Sequence, residues 1–460
     1  RGDVLISGLQ QWKWRGPYEQ LCLWDDCSSE PFVASSISES PTGEVQLLET
    51  ILERDNLRRA LRQVRRNKGA PGVDGMTVRQ LGRHLKKHWP KIKAAIVEGR
   101  YKPLPVRRKE IEKPEGGVRL LGIPAVLDRF IQAAVAQVLS EMWEPIFSQS
   151  SFGFRPGRSQ HDAVRQALGY VRAGKRYVVD IDLSKFFDRV CHDRLLSRLA
   201  TRVKDPRVLK LIRAFLESGV MVDGLTEATE EGVPQGGPVS PVLSNVVLDE
   251  LDKELERRGL RFVRFADDIV IYVKSRRAGE RVLQSVTRFI TRRMRLKVNA
   301  DKSGVNHPWT SKFLGFTFTN SVEQPQIRLH WKTVKRMKER VRELTERSSG
   351  RSVKRVVADL TVLLRGWWNY FGLIQSRNRL ARLDVWIHRR LRALVWKQWK
   401  RARTRITELM ARGISKAFAV PVGASRKGPW RMSQVKWVVF AVPGRYFESL
   451  GLIIPWTSTA

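Results

Sequence analysis

The sequence predicts a mixed α/β body followed by a long-helical, strongly basic C-terminal part, and three observations carry that expectation. From about residue 46 to 325, short β-branched runs alternate with amphipathic stretches, punctuated by turns such as Lys68-Gly-Ala-Pro-Gly-Val-Asp-Gly and Glu115-Gly-Gly. After Trp331 the stretches 333–345, 353–371 and 383–405 hold few Gly and no Pro, which suits helices. Residues 331–460 also carry 29 Lys plus Arg against seven acids, and nine of the fifteen Trp. Cations at that density repel one another unless a polyanion neutralises them.

At 460 residues the chain is long enough for two or three domains with sizeable cores. Its formal net charge is +39, carried on a composition that is 42% hydrophobic and 9% aromatic, so the charge belongs to folded protein and not to a basic tail. Aromatic rings among cations suit base stacking, which favours nucleic acid over an anionic membrane. Cys22, Cys27 and Cys191 supply neither a disulfide framework nor a CxxC zinc pair. The longest apolar runs, such as 269–273, fall far short of the roughly 20 residues that span a bilayer. A cytoplasmic protein with no membrane partner is expected.

Taken in chain order, residues 1–45 form an acidic leader, expected to be separate and partly disordered; residues 1–50 hold eight acids and three bases. Pro41-Thr-Gly-Glu marks the boundary, after which Leu47, Leu48, Ile51, Leu52, Leu57 and Leu61 recur at helical spacing over 45–64. Tyr177-Val-Val-Asp-Ile-Asp opens as a period-two strand with Asp180 and Asp182 on one face. Pro234-Gln-Gly-Gly-Pro feeds an amphipathic helix over 242–255. Arg261-Phe-Val-Arg-Phe-Ala-Asp-Asp-Ile-Val-Ile-Tyr-Val-Lys274 places Asp267 and Asp268 between two short alternating runs, as at the tip of a hairpin.

Three or four carboxylates brought together in this way repel one another unless divalent cations bind them, so the pattern points to a metal site. Two further signals fail. Gly169-Tyr-Val-Arg-Ala-Gly-Lys175 lacks the Ser or Thr that must follow a phosphate-loop lysine, and His84 and His88 sit among cations with no metalloprotease Glu.

Gly69-Ala-Pro-Gly-Val-Asp-Gly, Arg119-Leu-Leu-Gly-Ile-Pro124, Ser151-Phe-Gly-Phe-Arg-Pro-Gly-Arg-Ser159 and Gly232-Val-Pro-Gln-Gly-Gly-Pro-Val-Ser-Pro241 flank the two aspartate motifs. In that order they resemble the reverse transcriptases encoded by group II introns, from about residue 50 onward. The resemblance implies a right-hand polymerase. Its fingers and palm would span 46–325, the palm a small antiparallel sheet packed on helices. An α-helical thumb or maturase X domain would span 326–420, and a C-terminal DNA-binding region 421–460, with no zinc-type endonuclease following.

By the same resemblance, Asp182, Asp267 and Asp268 are the catalytic metal ligands, with the main-chain carbonyl of Leu183 as a further ligand for two Mg²⁺ ions or for Mn²⁺ in their place. Asp180 is a supporting or structural carboxylate, and Asp188 orders the following turn. Phe187 matches a steric gate against ribonucleotides. Lys113, Arg119, Gln235 and Gly236 face the nucleotide, and Gly237 faces the template. Arg155 and Arg158 serve either as phosphate and template contacts or as structural salt bridges. Lys302 matches a lysine that protonates pyrophosphate.

Phe265 stands where the family usually has Tyr, removing a hydroxyl near the primer. Phe313-Leu-Gly-Phe-Thr-Phe318 looks like a primer grip. Leu364-Arg-Gly-Trp-Trp-Asn-Tyr-Phe-Gly372 and Trp386-Ile-His-Arg-Arg-Leu-Arg resemble the thumb, with Arg365, Arg389 and Arg390 as RNA contacts and Trp367 or Trp368 in the core. Implied partners are group II intron RNA, target DNA, an RNA template with a DNA primer, and dNTPs. The implied function is reverse transcription with splicing and retrohoming, the protein joining the nucleoid when DNA-bound and priming from existing or nascent strand ends. The alternatives are a splicing-only maturase and a domesticated relative in defence or repair.

Overall fold

The computed structural model describes residues 46–457 apart from 113–117, 223–224, 228–230 and 234–235. The leader expected over 1–45 lies outside the described residues. Among the described residues ten strands alternate with helices: β1 (Val106–Glu112), β2 (Val118–Ile123), β3 (Tyr177–Ile181), β4 (Val220–Val222), β5 (Leu225–Glu227), β6 (Arg261–Phe265), β7 (Asp268–Val273), β8 (Gly304–Asn306), β9 (Phe316–Phe318) and β10 (Ile327–Leu329). They form one sheet in the order β2-β1-β4-β5, a second in the order β6-β7-β3-β8, and the hairpin β10-β9.

The chain divides into two compact units, one taking residues up to Ala167 with Tyr177–Val305, the other Leu168–Arg176 with Asn306 onward. In the first, β3 and β7 are apolar almost throughout because the second sheet is covered by protein. Val179, Ile181, Ile269 and Ile271 enter one core with Leu243, Val246 and Leu251 of the helix Ser240–Arg257 and with Val286 and Ile290 of Arg276–Arg292. In the second unit the helices Trp331–Leu344, Val353–Phe371 and Asn378–Gln398 share a core with Met432, Phe447, Ile454 and Trp456. The described apolar residues after 420 thus pack into this same core. The expected boundary at 325 falls inside the second unit, because β10 pairs with β9 and buries Leu329 in that same core.

Two expected helices are broken, and local hydrogen bonding explains each break. The run over 45–64 divides into Leu47–Ile51 and Arg54–Asn67, with the Asn56 carboxamide donating to the Ile51 carbonyl at 2.8 Å. The run over 383–405 divides at Trp399, whose carbonyl accepts from Arg405 Nε at 2.8 Å. Trp367 and Trp368 are half-buried at the edge of the second core, whereas the Trp396 and Phe447 rings are fully buried in it. Among the described residues no helix is long and apolar enough to cross a membrane.

Asp128 is buried in the first unit, accepting from Tyr101 Oη at 2.6 Å and from the Leu104 N–H at 3.1 Å. Burial dominates these bonds and pushes its carboxyl up to about 6. The folded state thus favours the protonated form, so the contribution is full at pH values below the unfolded carboxylate range and is lost as pH rises through 6. A shift of this size corresponds to roughly 3 kcal/mol. Melting temperatures of Asp128→Asn should lack the part of the wild-type decline between about pH 4 and 6 that this group supplies; parallel pH profiles for the two proteins would contradict it.

Candidate active site

The antiparallel ladder of β3 and β7 pairs Tyr177 with Val273, Asp180 with Val270 and Ile181 with Ile269. The ladder ends at that pair, and its register continued by one step brings Asp182 opposite Asp268. Side chains alternate across a strand, so Asp180, Asp182 and Asp268 share the face opposite that of Ile181 and Ile269, which point into the core. Sequence-remote carboxylates are thus placed side by side at one tip of the sheet. Asp182 and Asp268 are half-buried and Asp267 is exposed.

β6 and β7 form a hairpin whose last pair is Phe265 with Asp268, leaving Ala266 and Asp267 as the two-residue turn. Asp-Asp is therefore split between turn and strand. Ala266 adopts φ +55°, the left-handed region in which a Cβ meets its own carbonyl.

Asp182 follows β3. Its N–H donates to Ser303 Oγ at 3.0 Å and its carbonyl accepts from Asn299 N–H at 2.8 Å. Ser184 N–H donates to the Lys297 carbonyl at 2.7 Å, flanking an antiparallel bridge between Leu183 and Val298. When the neighbours of a residue make the ladder bonds, its own N–H and carbonyl face the other strand edge. The Leu183 carbonyl is thereby aimed toward the β7 side, where the aspartates lie. Carboxylates with a main-chain carbonyl are hard oxygen donors and fit a divalent cation such as Mg²⁺. Among the described residues no three His, Cys, Asp or Glu side chains form a ready cluster, so the juxtaposition is one of backbone register.

The glycine-rich loop is fastened to the aspartate motif. Val233 N–H donates to the Phe187 carbonyl at 2.6 Å, and His192 Nε2 lies 2.7 Å from the Gly232 carbonyl. Phe187 is half-buried, edge-on to Phe186 with ring centroids 5.2 Å apart. Gly236 has φ +126°, and a Cβ there would lie 2.4 Å from the Gly122 carbonyl of β2, so only glycine fits. At Gly237 a Cβ would lie 2.4 Å from Oε1 of buried Gln132. Gln235 and Lys113 lie outside the described residues. Arg119 stands on β2 opposite Ile111, and its side chain is likewise outside them. Lys302 is exposed, next to the Ser303 that touches Asp182.

Several expected contacts fall elsewhere. Arg155 donates to the Glu144 carboxylate and to the carbonyls of Glu144, Ser148 and Ser151, with its side chain 2% exposed. Its donors are used internally, leaving none for a template. Arg158 binds Gln149 and lies over the Phe152 ring at 5.5 Å; burial, the largest cause, lowers its pKa. Phe265 is 2% exposed, so its ring is packing and offers no face to a primer. In the second unit Arg390 caps the helix Trp331–Leu344 through Thr345 Oγ1 and the carbonyls of Arg342 and Thr345. Arg389 lies 3.7 Å over the Trp430 ring, and Arg365 is exposed.

No sequence motif assigns a role to the residues beneath the hairpin. Arg264 and Asp252 are a fully buried ion pair, joined by Asn245 and Ser151. The available signal was a lone cation inside the apolar run Phe262–Phe265, which demands a buried acid, with Asn245 and Asp252 at helical spacing on the preceding helix.

Residues 111–318 match the family described as "Reverse transcriptase (RNA-dependent DNA polymerase)", and 334–413 match "Group II intron, maturase-specific domain". Protein YkfC of Escherichia coli is 33% identical over 316 residues, covering 60% of this chain and 83% of that protein. The group II intron-encoded protein LtrA of Lactococcus lactis is 38% identical over 175 residues, 38% of this chain but only 29% of LtrA. Among solved structures, a partial Cas6-RT-Cas1–Cas2 complex covers 54% of this chain and 43% of its own, at 26% identity and a TM-score of 0.34, too slight a likeness to bear on function. By its two matched domains and its similarity over most of YkfC, the chain belongs to the group II intron reverse transcriptase and maturase family.

Proposed function

We propose that the protein is an RNA-directed DNA polymerase that also serves as the maturase of a group II intron, assisting splicing and copying the intron RNA at a DNA target. The observation that carries the reading is the register that sets Asp182 beside Asp268 at the hairpin tip. A bound pair of Mg²⁺ ions would supply activation of a primer 3′-hydroxyl and neutralisation of charge at the α-phosphate and the departing pyrophosphate. Asp182, Asp267, Asp268 and the Leu183 carbonyl would hold them, with Mn²⁺ as a substitute.

The chain's other groups take the remaining tasks. Lys113 and Arg119 meet the triphosphate charge. Gly236 and Gln235 bring backbone and side chain close to the incoming nucleotide, and Gly237 does so toward the template. The Phe187 ring fills the space that a ribose 2′-hydroxyl needs. Lys302 gives a proton to the leaving pyrophosphate. The excess of cations after residue 330, with Arg365 exposed, supports binding of intron RNA, template and DNA. A thumb over 326–420 and a DNA-binding region over 421–460 would provide these surfaces. The protein would work in the bacterial cytoplasm, on the nucleoid when bound to DNA.

Extension of a DNA primer on an RNA template by the purified chain tests this reading. Wild type should extend, and Asp267→Asn should extend roughly 10³-fold more slowly. A chain that promotes splicing but never extends would contradict the enzymatic reading. In the same assay Phe187→Ala should narrow the preference for dNTP over rNTP by roughly tenfold to hundredfold. An unchanged preference would remove Phe187 from the gate.

A further inference from the structure

We infer that Arg264, which has no assigned part in the chemistry, is the positioning residue that holds Asp267 and Asp268 in register, acting through the carbonyl of Ala266. The inference rests on the polymerase reading above. Arg264 lies on β6, and its side chain is 0% exposed. A guanidinium has five N–H donors in a rigid plane, and all five are matched here. Nε donates to Asp252 Oδ1 at 2.8 Å, and Nη2 donates to Asp252 Oδ2 at 2.5 Å and to Ser151 Oγ at 2.7 Å. Nη1 donates to Asn245 Oδ1 at 2.9 Å and to the Ala266 carbonyl at 3.0 Å.

Stability alone does not account for this pair. A buried ion pair often holds a fold together no better than well-packed apolar side chains of the same volume. What an apolar pair cannot do is grasp a carbonyl two residues farther along. That carbonyl belongs to Ala266, the residue with left-handed φ, immediately before Asp267. Alanine disfavours that conformation, so the turn needs support from outside itself.

A second group of contacts ties the same two elements to the turn. Asn245 Nδ2 donates to the Gly153 carbonyl at 2.9 Å. A Cβ on Gly153 would lie 2.2 Å from the Ala266 nitrogen, so the Ser151–Gly153 backbone reaches the turn only because that side chain is missing. Phe152 N–H donates to the Arg264 carbonyl and Arg264 N–H to the Ser150 carbonyl, at 2.9 and 2.8 Å. The helix carrying Asn245 and Asp252 and the segment carrying Ser151 and Gly153 therefore meet at one guanidinium. Displacement of catalytic groups by about 1 Å can lower turnover roughly 10²-fold, which makes such a brace consequential.

The test uses the full chain in single-nucleotide extension with dTTP on an oligo(dT) primer and poly(rA) template, titrating Mg²⁺ and dTTP separately. Arg264→Lys keeps the charge opposite Asp252 but loses the planar fork that reaches Ala266. Its kcat should fall roughly tenfold or more, with KM for dTTP within about threefold of wild type and a higher Mg²⁺ concentration at half-maximal rate. Ser151→Ala leaves the ion pair whole and should shift the same two readouts in the same direction, by roughly twofold to fivefold; it decides the matter if Arg264→Lys does not fold. A merely structural Arg264 would lower the melting temperature and leave the Mg²⁺ requirement and kcat per folded molecule unchanged, and that result overturns the inference. A wild type that fails to extend overturns the polymerase reading and this inference with it, whereas an active wild type beside variants of equal kcat and Mg²⁺ requirement overturns this inference alone.

Discussion

The register of one antiparallel ladder governs everything proposed for this chain. Asp182 and Asp268 are 86 positions apart in the sequence, and they become neighbours because β3 and β7 pair with Ile181 opposite Ile269. A slip of one residue would reverse every side chain on a strand and turn Ile181 out while turning Asp182 into the apolar core. Burial opposes that slip. Val179, Ile181, Ile269 and Ile271 lie on the core side, and at roughly 25 cal/mol per Å² a strand has no cheap alternative once several branched side chains are buried. The hydrophobic effect thus does indirectly what the acids cannot do for themselves, since like charges left to choose would separate.

Close backbone approach is the second organising feature. Gly153 lies against the hairpin turn, Gly236 against the Gly122 carbonyl, and Gly232 against the Phe187 carbonyl with a missing Cβ 3.0 Å away. Each removes a side chain so that two motifs, distant in sequence, share one small volume. Methyl groups at these positions would crowd backbone of the neighbouring segments, at Ala266, Gly122 and Phe187–Asp188, and so push the motifs apart. The buried Arg264–Asp252 pair belongs to the same logic, binding main-chain atoms of a turn that alanine alone would not hold.

Much of this arrangement was legible in the sequence where pattern and chemistry coincide. Alternation around Asp180 and Asp267 marked β3 and the hairpin, and a stretch with few Gly and no Pro marked the helix Val353–Phe371 at the limits observed. What the sequence concealed is of one physical kind. An arginine in a motif reads alike whether its guanidinium faces phosphate or is sealed inside, so Arg155 was open to a template contact or a structural salt bridge, and its bonds to Glu144 and three carbonyls take the second. Phe265 was read by the hydroxyl it lacks, whereas its burial decides its part. Helix breaks at Glu53 and Trp399 depend on side-chain caps from Asn56 and Arg405, which periodicity does not register. The hydrophobic contacts that place β9 and β10 with the C-terminal helices likewise join segments that composition separates.

The most direct test of the register is a covalent one. Directly opposed residues of antiparallel strands have Cα atoms about 4.5–5.5 Å apart, within the span a disulfide bridges. A chain carrying both Asp182→Cys and Asp268→Cys, mildly oxidised and digested, should yield a disulfide-linked peptide joining positions 182 and 268, distinguishable by mass from any product of Cys22, Cys27 or Cys191. Absence of that linkage, with both introduced thiols still open to alkylation in folded protein, would contradict the juxtaposition on which the account depends.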